Sequence, residues 1–146
     1  MRNRFSVLII LLLAALPLWP QSGAPADPAS YIGLTLTELI ARFGIPKSVY
    51  ASRGLEDWQD DVVFVYNEGE FYIYKDRVWQ IGIKEAYLIK AGDPRPAVDL
   101  SFGEALFSGS DFTVFTLAGK SWPMYLRFNF DSNGRVAMIF IYRSDL

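Results

Sequence analysis

The chain has 146 residues, with 14 Lys and Arg against 16 Asp and Glu, and it contains no Cys and no His. Those absences exclude a disulfide framework, a thiolate nucleophile, an imidazole base and a zinc site built from Cys and His. The net charge of −2 offers no basic footprint for nucleic acid, and the length allows one ordinary domain or two very small ones sharing a core.

Arg2 and Arg4 precede an uncharged apolar run, residues 7–16, closed by Pro17 and Pro20. Ten residues are too few to span a hydrocarbon core of about 30 Å, which takes roughly 20. The run therefore reads as the h-region of a secretory signal peptide, with cleavage expected after Ala26 in the small-x-small site Ala24-Pro25-Ala26. Contact with a membrane is expected only where that segment stays uncleaved. No Cys follows the run, so a bacterial lipid anchor is chemically impossible. The mature chain, periplasmic or secreted, then has 120 residues and a net charge of −4. Its stability must come from core packing without disulfides.

Residues 27–31 lead into a helix over residues 34–44. Thr35 and Glu38 stand at capping-box spacing, while Leu36, Leu39, Ile40 and Phe43 share one face. Gly44 suits the left-handed position that ends a helix, and Pro46 blocks continuation. From Asp61 the period changes to that of strands, at residues 62–66, 69–75 and 77–84, with turn residues between them. Alternation places Phe71 and Ile73 on one face and Tyr72 and Tyr74 on the other. Residues 86–91 either extend the third strand or begin a connector. Gly92-Asp93-Pro94-Arg95-Pro96 is the strongest breaker, and a linker is expected at 92–97.

The second half reads alike. Ser101 and Glu104 offer another capping-box spacing, in a helix that Gly103 weakens by roughly 1 kcal/mol relative to Ala. Strands follow at 112–117, 124–131 and 136–143, the last two joined by the turn Asp131-Ser132-Asn133-Gly134. Leu126, Phe128 and Phe130 face one way, and Tyr125, Arg127 and Asn129 the other. Matching Glu38 with Glu104 and Arg77-Val78 with Arg135-Val136 reads as a degenerate tandem repeat, set against the plainer alternative that small α+β domains look alike at this level of detail. The expected fold is α+β: two tandem units, 27–91 and 98–146. Each is a short helix plus a three-stranded antiparallel meander, with helices covering one face of the sheet; the two meanders either stay separate or join into one continuous sheet.

Gly33-Leu34-Thr35-Leu36-Thr37-Glu38-Leu39, followed by Phe43-Gly44-Ile45-Pro46, resembles the opening signature of the small exported SmpA/OmlA (BamE) domains. Asp76-Arg77-Val78 and Asn133-Gly134-Arg135-Val136 resemble the ending of their strand meander. The β-lactamase inhibitory proteins are similar and carry two such units in tandem. The similarity extends over residues 32–83 and, less closely, 98–142. The chain lacks the lipidated Cys of the first family and the disulfides of the second. The resemblance implies an exported helix-and-sheet module that works by binding protein.

Little in the sequence points to catalysis. The acidic loop 55–61 groups four carboxylates, yet it lacks the spaced ladder and the glycine of a calcium loop, and it reads as a solvated segment. There is no G-x-S-x-G elbow and no P-loop, and nothing selects a carboxylate pair. No metal, no cofactor and no enzymatic activity are expected. The aromatic surplus is the better lead, with 11 Phe, 8 Tyr and 4 Trp. Trp58, Tyr66, Tyr72, Tyr74, Trp79, Trp122 and Tyr125 lie on or beside strands. Trp58, Tyr72, Tyr74, Trp79, Trp122 and Tyr125, with Arg127 as a charged anchor, form a candidate binding face. The opposing reading buries these rings in a core or a dimer interface. The expected function is a non-enzymatic protein-binding or envelope-assembly module whose partner is another envelope or secreted protein. The alternative is a periplasmic binder of an apolar or glycan ligand, and a carboxylate-based hydrolase comes third.

Overall fold

The computed structural model describes residues 27–53, 60–118, 121–143 and 145. The expected signal peptide, Trp58 and most of the acidic loop lie outside the described residues. The chain runs from a 3-10 turn at Pro28–Tyr31 through helix α1 (Leu36–Phe43) and strands β1 (Ser48–Ser52), β2 (Asp61–Val65), β3 (Glu70–Tyr74) and β4 (Arg77–Ile83). A small hairpin of β5 (Glu85–Ala86) and β6 (Ile89–Lys90) leads to α2 (Arg95–Phe102). Strands β7 (Phe107–Ser108), β8 (Phe112–Leu117), β9 (Met124–Phe130) and β10 (Val136–Arg143) follow.

Eight of these strands form one antiparallel sheet in the order β1-β2-β3-β4-β10-β9-β8-β7. The two expected three-stranded meander units are therefore replaced by one continuous sheet. Strands β4 and β10 pair at its centre, with Ile81 opposite Ile141. Two edge strands escape the sequence pattern. Four of the five residues of β1 are exposed, so no buried alternation marks it, and β7 has only two residues. The expected helical cover is also corrected. Two eight-residue helices, each about 12 Å long, meet a sheet about 34 Å wide, and they contact patches of it rather than layering it.

Helix α1 is capped as its sequence implies. The Glu38 amide donates to Thr35 Oγ1 at 3.2 Å, and the Thr35 amide donates to Glu38 Oε2 at 2.8 Å. Helix α2 starts earlier than expected, with Arg95-Pro96 inside the supposed linker, because Pro fits the first helical turn, where its missing N–H costs nothing. Ser101 lies within α2, donating to the Ala97 carbonyl, and does not cap it. Gly103, at φ 73°, ends that helix. The expected capping box of Ser101 with Glu104 is thus absent, and so is the correspondence of Glu104 with Glu38.

A different correspondence holds. The Gly33 amide donates to the Val78 carbonyl, the Val78 amide to the Leu34 carbonyl, and Arg77 Nη1 to the Gly33 carbonyl. The same three bonds recur as Gly92 to Val136, Val136 to Asp93, and Arg135 Nη1 to Gly92. Gly33 and Gly92 take φ 91° and 93°, a conformation that side chains with a Cβ disfavour.

The core lies between the helices and one sheet face. Phe43 packs 5.3 Å from Phe71, and Phe102 packs 5.1 Å from Phe115 and 5.2 Å from Phe128. Directly opposite residues of antiparallel strands share a face. The row Phe64-Phe71-Ile81-Ile141-Leu126-Phe115 therefore crosses six strands on this inner side. Tyr87 ties the small hairpin down, donating to Asp27 at 2.8 Å and lying edge-on to Phe102.

Candidate functional site

The next row along the same strands points the other way. It reads Tyr50-Val63-Tyr72-Gln80-Tyr142-Tyr125-Thr116. Beside it runs Glu70-Gly82-Phe140-Arg127-Val114. Where the two rows meet, Trp79, Gln80, Arg127, Asn129, Phe140 and Tyr142 line a groove of 340 Å³ on the outer face.

Local backbone geometry aims several of these groups. In β4, Tyr72 opposes Gln80 but Ile73 opposes Val78, so a bulge leaves Trp79 without a partner in the register. The bulge turns Trp79 outward beside Gln80 while Val78 and Ile81 both stay fully buried. Its indole Nε1 donates to Asp61 Oδ1 at 3.0 Å. Gly82 lets Phe140 lie close over the strand, since a Cβ there would stand 3.1 Å from the Phe140 ring. Tyr125 and Tyr142 meet edge to face at 5.7 Å.

The electrostatics of the face are uneven. Tyr50 and Tyr72 both donate to Glu70 Oε2 at 3.2 Å. Burial pushes the Asp61 carboxyl upward, with the Trp79 indole opposing and Asp60 adding to the rise. Burial also holds the Tyr72 hydroxyl well above the ordinary phenol range, aided by its neighbours Tyr50 and Glu70. Tyr142 is raised by burial against the pull of Arg127, with Tyr125 adding to the rise. The Tyr72 and Tyr142 hydroxyls thus stay protonated at neutral pH. Arg127 Nε donates to Asn129 Oδ1 at 2.7 Å, and its guanidinium carbon lies 4.4 Å above the Phe112 ring.

Of the residues singled out from sequence, Tyr72, Trp79, Tyr125 and Arg127 come together on the outer face. Tyr74 shares that face but sits at the β3–β4 turn, where Lys75 Nζ lies 5.0 Å from its ring. Trp122 is elsewhere: its ring lies against Gly33 and under the Arg143 guanidinium at 4.6 Å. Tyr66 is core, 5.6 Å from Phe71. Gln80, Asn129, Phe140 and Tyr142 were missed. Asn129 was already assigned the Arg127 side of its strand, and Phe140 and Tyr142 follow from the alternation of Ile139 and Ile141. The three-residue step from Val78 to Ile81 was the signal for the bulge.

No protein-family model and no curated protein matches the chain. Among solved structures, an extracellular protein containing an SCP domain from Bacillus anthracis str. Ames has a similar fold, with a TM-score of 0.55 and 13% identity. The likeness covers 86% of this chain and 49% of that one, so the matched region is about half the length of that protein. At this identity the likeness concerns the fold.

Proposed function

We propose that the protein is an exported, non-enzymatic binding module that holds a protein partner on the outer face of its sheet. The groove of Trp79, Phe140 and Tyr142 carries this reading. Rigid aromatic side chains with polar tips present large contact area at low entropic cost, the composition of interface anchors. The signal-like segment before Ala26 supports export, and the neighbour of like fold is itself an extracellular protein. The resemblance of residues 33–46 to BamE domains points the same way. The two carboxylates on this face, Asp61 and Glu70, are held by indole and phenol donors, which supports binding rather than hydrolysis.

A second reading draws on the amides of Gln80 and Asn129. Convergent polar groups in an aromatic groove of 340 Å³ also suit a small glycan.

The test uses the mature chain immobilised against envelope and secreted extracts, beside the Trp79→Ala/Tyr142→Ala variant. The wild type is expected to retain a protein that the folded variant loses, and that protein, once purified, rebinds the wild type directly. Retention by both forms overturns the reading. Unfolding of the double variant also overturns it, because the rings would then be core.

A further inference from the structure

Among the described residues Arg127 is the one cation lining the groove, and no described acid pairs with it. Among the described residues its Nη1 and Nη2 donate to no protein group, and it joins no ion pair. The nearest acid of its own cross-strand row is Glu70. Gly82 and Phe140 stand between them, placing Glu70 three strand spacings away, about 14 Å. Glu70 and Asp61 are in any case occupied by tyrosine and tryptophan donors. The guanidinium is nonetheless fixed in place. Nε is tied to Asn129 and the flat of the group rests on Phe112, so the open edge carrying Nη1 and Nη2 is held ready. That edge is a planar fork matched to a carboxylate, and the side chain loses little freedom on binding one.

From this placement we infer that the groove recognises an acidic side chain of the partner protein, seating its carboxylate on Arg127 between the rings of Trp79, Phe140 and Tyr142. The inference rests on the protein-binding reading above and specifies its chemistry. One cation on a chain of net charge −2 suits a single carboxylate and not a polyanion. The flanking rings call for apolar residues on either side of the acid.

Randomised pentapeptide mixtures with blocked ends test this, the central residue fixed as glutamate, glutamine or lysine. The nitrogen-15 resonances of Arg127 Nε and the Trp79 indole report binding. The glutamate mixture is expected to shift both signals at about tenfold lower concentration than the glutamine mixture, the scale of one charged hydrogen-bonded contact. The preference vanishes in Arg127→Gln and is only reduced in Arg127→Lys, which keeps the charge without the fork. Unchanged urea midpoints for the variants exclude a general loss of fold.

Equal shifts by the glutamate and glutamine mixtures overturn the acidic specificity while leaving the protein-binding reading intact. A preference for the lysine mixture does the same. Shifts by free glucuronate but by no peptide mixture overturn both readings in favour of a glycan. No shift by any probe overturns both as well.

Discussion

The two faces of the sheet are built from the same strands, one residue out of step, and they differ in nearly every respect. Inward, Phe71, Ile81, Ile141 and Leu126 are fully buried hydrocarbon. Outward, one position along the same strands, stand Tyr72, Gln80, Tyr142 and Tyr125, half-buried and polar at their tips. The inner row holds the molecule together by excluding water. On the outer side the Tyr72 hydroxyl is tied to Glu70, and beside it the Trp79 indole to Asp61, before anything binds.

That contrast is best broken on the inner side. Phe128→Ala removes a fully buried ring that packs on Phe102 and Phe115, and it is expected to cost about 3–5 kcal/mol in urea unfolding. A loss under 1 kcal/mol would mean that the helices do not close this face. A subtler change comes next. Phe128→Tyr adds one hydroxyl to a ring packed between Phe102 and Phe115, and about 1–3 kcal/mol should be lost. On the outer face Trp79→Ala is expected to cost about 1–2 kcal/mol, since the ring is only half-buried, while removing partner binding.

Asp61→Asn sharpens the comparison through pH. The carboxyl is raised above its ordinary value of 3.8 chiefly by burial, so its ionisation opposes folding. The penalty is absent below 3.8, grows as pH rises toward the raised value, and stays in force at neutral pH. Asparagine keeps an acceptor for the Trp79 indole without the charge. The variant should match the wild type at low pH and exceed it by a few tenths of a kcal/mol at pH 7, the site being largely open to water. The smallest effect is Tyr125→Phe. Its hydroxyl faces outward, and its loss should change stability by less than about 0.5 kcal/mol. A loss equal to that of Phe128→Tyr would erase the distinction between the faces.

Much of this molecule was legible because its signals are local. The Thr35–Glu38 cap, the bounds of β8 and β10 and the alternation along β9 depend on residues a few positions apart. The second helix is placed too late by sequence because Pro94-Arg95-Pro96 has the composition of a break, while in the fold it starts the helix and Gly103 ends it. Strand β1 lacked any buried residue to announce it.

The candidate site divides in the same way. Tyr125, Arg127 and Asn129 were assigned one face by alternation, whereas Trp122 was grouped with them and packs against Gly33 instead. It stands before the first residue of β9, where strand alternation no longer dictates direction. From the sequence alone came the apolar periodicities, the turns, the absence of Cys and His, and the side on which the aromatics of β3 and β9 fall. The tertiary structure decided that Ile81 pairs with Ile141 across sixty residues of chain, and that a bulge swings Trp79 outward. It also decided that Arg127 meets no acid among the described residues. Those outcomes depend on which distant strands share hydrogen bonds, and no local period encodes that choice.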